Sequence, residues 1–402
     1  MTTRHTTITK GALCALLALL TTSCGADEGG GSNGIPVSGG GDGAYADSGG
    51  AGAGANNTAG EGPDGEGVAP EAGQLTAGRW RDVDDWGMWV KLMDPSAGSW
   101  RDMVTAWGYL PLEVVSVEVT SAGAPAIDAT VTLEDAQGEA LWTARTDYAG
   151  RAYLFPAFFT GAPAGQGLQV TAGGVSAPAT LDATVELDAP ALAAPPEVLD
   201  VMFMIDVTGS MLDEQAYLRS EMRDVISRLE AARPDLDLRA STSFYCDPAE
   251  FTVDAQPFGT VASALDVLDV GASCGGGDYP EAVDEALDAA LGLEWSPSAR
   301  ARVLFLVLDA PPHQDQEGTS RLARFAREAS ARGIKLVPIV SSGADKPLEF
   351  MLRPLVMATN GTYTFLTSDS GIGDDKIEPT IGSFEVEYLN ELMLDYLLTQ
   401  TL

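Results

Sequence analysis

The chain has 402 residues and a formal net charge of −35, from 58 acidic and 23 basic side chains. The length leaves room for two or three domains. The charge argues against nucleic acid as a partner and against electrostatic adsorption to an anionic membrane surface, and it suits an extracytoplasmic or divalent-cation-rich setting.

Residues 1–24 read as a targeting segment. Arg4 and Lys10 form a basic start, and Leu13 to Leu20 form an apolar core too short to span a bilayer stably. Thr21-Thr22-Ser23-Cys24 then resembles a bacterial lipobox, departing from it at Thr21, where leucine is usual. The resemblance implies lipidation at Cys24; the alternative is ordinary secretory cleavage. Residues 25–75 are nearly all Gly, Ala, Ser, Asp, Asn and Glu with scattered Pro. Too little apolar surface is available there to offset the entropy of ordering, so a flexible tether is expected. No later apolar stretch has transmembrane length. Cys14 and Cys24 belong to the targeting segment, which leaves Cys246 and Cys274 either paired, as is usual in an oxidising compartment, or as buried thiols.

Residues 76–110 carry Trp80, Trp86, Trp89, Trp100 and Trp107. The spacing of Trp86, Trp89 and Met93 predicts a short amphipathic helix docked through its aromatics, with an aromatic platform for glycans as the alternative. Over 111–190 the period becomes two: Val115-Val117-Val119, Ala129-Val131-Leu133 and Ala152-Leu154 alternate with polar positions, and glycines mark turns. This predicts an antiparallel β-sandwich of about seven strands. The stretch Thr146-Asp147-Tyr148-Ala149-Gly150 is similar to the turn of carboxypeptidase-regulatory-like modules, which implies a spacer or binding module. Asp147 is read there as a turn residue bonding its own backbone. Ala189 to Pro196 is the linker onward.

The last part, 198–402, is organised around Val198 to Ile205, an apolar run suited to a strand buried on both faces. Asp206-Val207-Thr208-Gly209-Ser210 follows at once, and Ser210 with Asp213 has capping-box spacing for a helix. A second apolar run, Val303 to Leu308, ends in Asp309, and Gly275-Gly276-Gly277-Asp278 precedes another helix. That glycine loop lacks the Gly-Lys-Ser/Thr of a phosphate cradle. Strands alternating with helices predict an α/β fold with a doubly wound, mostly parallel sheet, preceded by the small sandwich and the tether. Asp206, Thr208, Ser210, Asp278 and Asp309 then share the carboxyl edge of the sheet, where ligands bind in such folds. They offer only oxygen, which suits Mg²⁺, or Mn²⁺ or Ca²⁺, better than Zn²⁺.

The spacing Asp-x-Thr-Gly-Ser and the strand-end aspartates resemble the metal-ion-dependent adhesion site of von Willebrand factor A-type domains, over Val198 to near the end of the chain. In that family Asp206, Thr208 and Ser210 are first-loop ligands and Asp309 matches a third-loop aspartate. Asp278 stands where many members carry threonine, which implies tighter cation binding and weaker capture of an outside carboxylate. The helix after Ser210 points its positive end at the site, a tension that nearby aspartates outweigh. The resemblance implies a metal-dependent protein–protein interaction or adhesion protein, lipid-anchored on the bacterial envelope (periplasmic or outer surface) and otherwise secreted. Its partner would be a protein offering an acidic or oxygen group to the metal. The alternatives are a structural envelope protein with a metal-stabilised fold and a metal-assisted hydrolase. Catalysis is not expected, since no nucleophile elbow is present, and His313 is the only histidine after the targeting segment.

Overall fold

The run Val198–Asp206 hydrogen-bonds to a parallel strand on each side and has apolar residues facing both ways, so both sheet faces must be covered. The computed structural model describes residues 69–160, 165–190, 192–247, 252–275 and 279–402. In chain order, β1 (Thr76–Trp80) leads into α1 (Trp86–Leu92) and α2 (Trp100–Ala106). Eight short strands follow: β2 (Val115–Ser121), β3 (Ala124–Pro125), β4 (Thr130–Glu134), β5 (Ala140–Arg145), β6 (Arg151–Leu154), β7 (Gln169–Ala172), β8 (Val175–Pro178) and β9 (Thr184–Asp188). Then come β10 (Val198–Asp206), α3 (Leu212–Ala232), β11 (Asp237–Tyr245), β12 (Val253–Asp254), α4 (Val261–Val270) and α5 (Val283–Gly292). The chain closes with β13 (Ala301–Leu308), α6 (Gln316–Arg332), β14 (Ile334–Val340), α7 (Lys346–Ala358), β15 (Tyr363–Leu366), β16 (Glu387–Tyr388) and α8 (Leu389–Thr399).

The large sheet has the order β12-β11-β10-β13-β14-β15-β1-β16, parallel from β11 to β15 and antiparallel at its margins. Alternate residues of β10 divide between two cores. Leu199, Val201, Phe203 and Ile205 join α3, α4 and α8 on one face. Met202 and Met204 join α5, α6, α7 and the small strands on the other. This is the doubly wound α/β arrangement expected from the alternating elements.

Three features differ from the sequence expectation. Thr76–Trp80, placed in a helical segment, is instead an antiparallel strand of the large sheet, set beside β15. The small module has eight strands in two four-stranded sheets, and its β2–β9 pair is parallel. Phe251 to Phe258, whose sequence suggests one strand, forms among the described residues only the two-residue β12.

The small module also does not carry a core of its own. Val117, Leu133 and Trp142 belong to the same apolar cluster as Leu304 and Phe325. Polar contacts reinforce the junction: Arg302 donates to both oxygens of Asp128 at 2.9 and 3.1 Å, and the Trp142 indole donates to Ser330 at 3.0 Å. Asp147 caps its own turn by accepting from the Ala149 and Arg151 amides at 2.9 Å, as a turn residue should, while its other oxygen accepts from Asn360 at 3.2 Å.

Residues preceding β2 are held by buried charge. The Glu221 carboxylate accepts the amides of Gly73, Gln74 and Leu75 at 2.7 to 3.0 Å, clamping the strand's approach to α3. Asp82 receives the fully buried Arg353 guanidinium at 2.5 and 2.9 Å, and Glu349 receives it at 3.0 Å. Arg353 also lies over the Trp89 ring, and Trp100 stacks on Phe350 with centroids 5.1 Å apart. Asp82→Ala strips the buried guanidinium of its bidentate partner. The expected loss is about 3 kcal/mol of unfolding free energy, measured by urea titration. Exposed Asp84→Ala, by contrast, is expected to change stability by less than about 1 kcal/mol.

Candidate metal centre

Asp206 closes β10 and is fully buried. Its Oδ1 accepts from both the amide and the hydroxyl of Thr208, at 2.9 and 2.7 Å, which folds the chain sharply back after the strand. The turn is pinned on two sides: the Val207 amide donates to Tyr245 O at 3.1 Å, and the Cys274 amide donates to Val207 O at 3.0 Å. Gly209 is required there, because a Cβ would lie 2.9 Å from the Gly275 carbonyl oxygen. Gly209–Met211 then forms a 3-10 turn, and α3 starts only at Leu212. Ser210 therefore does not cap the helix as its capping-box spacing suggested. Its hydroxyl sits 3.2 Å from that of Thr208 and against the Asp309 carboxyl. Asp213 bonds elsewhere, accepting the Asp374 amide at 2.9 Å.

Asp309 follows β13 on the neighbouring strand and is also buried. Burial is the main reason its carboxyl is pushed up to about 7; the Ser210 hydroxyl opposes the shift, while the Asp206 and Glu214 charges add to it. Burial likewise raises Asp206, against the two Thr208 bonds. Asp206 Oδ2 and Asp309 Oδ1 accept no hydrogen bond of normal geometry from the protein. The structure thus brings Asp206, Thr208, Ser210 and Asp309 together at the carboxyl edge of the sheet. Asp278 and Cys24 lie outside the described residues.

Several neighbours were not singled out in the sequence. Tyr245, fully buried at the end of β11, has its hydroxyl held protonated by burial and then by the charges of Asp206, Asp309 and Glu281. Glu214, also fully buried, accepts the Ser342 amide at 3.2 Å and pairs with Lys376. A glutamate in the first turn of an amphipathic helix reads as solvated, and its lysine lies far along the chain, so neither carried a local signal. Leu212 and Tyr279 are exposed at 58% and 45%, enough to leave two apolar side chains facing solvent next to the acidic cluster. His313 is exposed in the loop after Asp309.

Cys246 and Cys274 form a disulfide with 6.5 Å between Cα atoms. It joins the end of β11 to the loop whose Cys274 amide pins Val207, so the crosslink restrains one wall of the turn. Closing a loop of 28 residues of separation is worth roughly 3.5 kcal/mol in the chain-entropy picture.

The donor set fits a hard cation: two carboxylates each present an uncompensated buried oxygen, and two hydroxyls flank them. Among the described residues no group of three or more His, Cys, Asp or Glu is gathered for a metal, so the described donors are these two carboxylates and two hydroxyls. No described helix is long and apolar enough to cross a membrane.

No protein-family model matches this sequence, and no curated protein matches it. Similar solved structures include the SpRpn10 VWA domain, at 11% identity and a TM-score of 0.30, covering 40% of this chain and 82% of that one. Another is an aerotolerance-related membrane protein from Bacteroides fragilis, at 16% identity and a TM-score of 0.27, covering 50% and 88%. At these values the likeness carries nothing about function. The strand order and helix placement give the chain its class: a doubly wound, mostly parallel α/β sheet with helices on both faces.

The raised Asp309 carboxyl fixes a direction for pH dependence. Its folded value of about 7 lies above the ordinary 3.8, so the folded metal-free protein binds the extra proton in between. Stability from this group is then greatest in acid, falls as pH rises from about 4 to about 7, and stays low above that, by on the order of 4 kcal/mol. In EDTA, denaturant unfolding at pH 5.5 and pH 8 is expected to show a larger drop for wild type than for Asp309→Asn. Equal drops would remove Asp309 as the cause.

Proposed function

We propose that the chain is a metal-ion-dependent protein–protein interaction protein of the von Willebrand factor A type, displayed on the bacterial envelope through lipid at Cys24. The observation that carries the reading is the pair of buried oxygens, Asp206 Oδ2 and Asp309 Oδ1, neither of which accepts a hydrogen bond of normal geometry from the protein. Leaving such oxygens ionised and unpaired in a low-dielectric setting is costly, and a divalent cation offsets both charges. Asp206, Asp309, Thr208 and Ser210 would hold Mg²⁺, Mn²⁺ or Ca²⁺, with Asp278 as a further ligand.

Bound there, the cation supplies fixed positive charge for a carboxylate or other oxygen donor of a partner protein. The protein's own part is preorganisation. Thr208 holds Asp206 in one orientation, the disulfide restrains the adjoining loop, and Leu212 and Tyr279 give the partner apolar surface beside the polar contact. Among the described residues no group near the site is arranged as a nucleophile with a positioned base, so binding is favoured over hydrolysis.

Isothermal titration of Mg²⁺, Mn²⁺ and Ca²⁺ into the full chain is expected to give saturable binding that Asp206→Ala and Asp278→Ala each abolish. At a hundredfold excess over Kd the cation should stabilise the fold by about 2.7 kcal/mol. Absence of binding by all three ions in wild type would sink the metal centre. Metal stabilisation without metal-dependent capture of any envelope protein would instead favour a structural role.

The anchoring has its own test. Expressed in a bacterial host, the chain is expected to enter the detergent phase on Triton X-114 partition, and Cys24→Ser is expected to leave it aqueous. Equal partition of the two would favour release after ordinary secretory cleavage.

A further inference from the structure

The large sheet ends on a strand with one open side. Among the described residues β16 bonds only to β1, with Thr76 opposite Tyr388 and Ala77 opposite Glu387. The Leu389 amide donates to Leu75 O at 2.8 Å, while across β1 the Thr367 amide donates to Thr76 O, also at 2.8 Å. Leu75 and Ala77 therefore bond towards β16 and Thr76 away from it, so Glu387 and Leu389 bond inward. Alternation along the strand then puts the amides of Val386 and Tyr388 on the open side. Ser383 to Val386 lead into β16 outside any helix or turn, and no proline or lysine stands between Ser383 and Tyr388. Those are two of the residues with which proteins usually blunt such an edge.

The side chains of this stretch divide by face. Phe384, Val386 and Tyr388 alternate on one face and are 38%, 46% and 54% exposed. Phe384 meets the Phe365 ring edge-on with centroids 4.9 Å apart, and Phe365 belongs to the core that α7 covers. The apolar stripe thus continues that core out to solvent. Glu385 and Glu387 take the opposite face. Glu387 lies 3.5 Å from Arg79, which Asp395 holds more closely at 2.8 Å, and Glu385 has no ion pair among the described residues. One guanidinium there serves three carboxylates. A second copy of the chain would bring the same acidic face against this one, with each chain carrying −35. We propose that the open edge of β16 takes up an extended segment of a partner protein as a further strand, in which apolar residues alternate with lysine or arginine. Its backbone bonds the outward amides, its apolar side chains cover Phe384, Val386 and Tyr388, and its cations face Glu385 and Glu387.

The edge shares no residue with the metal centre, so the two readings fail separately. The test uses the full chain in EDTA at physiological salt, with a fluorescent peptide of alternating valine and lysine read by anisotropy. Its controls are the same peptide N-methylated along the backbone and a peptide of alternating valine and glutamate. Saturable binding of the valine–lysine peptide alone is expected, weakened about tenfold or more by Val386→Pro and unchanged by Asp206→Ala. Val386→Pro removes an outward amide and no bond to β1, so an unchanged melting temperature is expected and serves as the control for folding. Val386→Thr keeps that amide and is expected to bind more tightly than Val386→Pro. Glu385→Lys, at an exposed position, is expected to weaken binding about threefold. Failure of the valine–lysine peptide to bind overturns the proposal. So does binding indifferent to N-methylation or to Val386→Pro, which is attraction between charges without strand addition, and so does equal binding of the valine–glutamate peptide. A concentration-dependent dimer in sedimentation that Val386→Pro abolishes also overturns it, because the edge is then filled by a second copy.

Discussion

Burying a parallel strand on both faces also buries whatever side chain ends it. β10 has β11 on one side and β13 on the other, with α3 and α4 over one face and α5 and α6 over the other. Asp206, its last residue, is therefore taken out of water by the same packing that stabilises the sheet. A carboxylate in that position raises its own proton affinity unless donors or a cation offset the loss of solvation. The donors of ordinary geometry that surrounding residues supply reach only one oxygen. Thr208 satisfies Oδ1 twice, while the buried Tyr245 hydroxyl and the Asp309 charge lie close to the same carboxyl.

The two ends of the sheet solve their charge problems differently. At the amino end, charges are matched by partners across the junction with the small module: Arg302 with Asp128, and Asn360 with Asp147. Lys335, buried in the same region, is pushed down to about 8 by burial, only partly opposed by Asp147 and Asp128. At the carboxyl end, among the described residues, Asp206 and Asp309 each keep a buried oxygen without a hydrogen bond of normal geometry, and Lys376 is taken up by Glu214. The small module docks at the matched end and over one face. The acidic end keeps Leu212 and Tyr279 exposed beside it.

Legibility in the sequence followed how locally each element is determined. β10 and β13 could be read directly, because strands buried on both faces are largely apolar runs bounded by polar turns. β1 could not. Thr76-Ala77-Gly78-Arg79-Trp80 has no apolar run, and it becomes a strand through pairing with β15 and the clamp of Glu221 on the residues before it. Gly78 shows the tertiary origin of that fit: a Cβ there would lie 2.6 to 2.8 Å from the rings of Phe365 and Phe384. At the site, Asp206, Thr208, Ser210 and Asp309 were legible because each sits where a buried run stops. Tyr245 and Glu214 were not, since one ends a strand with ordinary alternation and the other lies on a helix face that looks solvent-directed.

The 3-10 turn also answers the electrostatic objection to a cation at this place. A helix that began at Ser210 would aim the positive end of its dipole straight at the carboxylates and compete with a metal for them. Instead Gly209–Met211 takes up the first turn, α3 begins at Leu212, and Asp213 and Glu214 occupy its opening turn. Asp213 accepts the Asp374 amide and Glu214 the Ser342 amide, so both are fixed near the helix start. The negative charge of Asp213 counters the helix end locally, while Glu214 is itself paired with Lys376, which leaves Asp206 and Asp309 to set the potential at the site. The same turn delivers the Ser210 hydroxyl to Asp309, so one change of backbone geometry both weakens the repulsion and adds a donor.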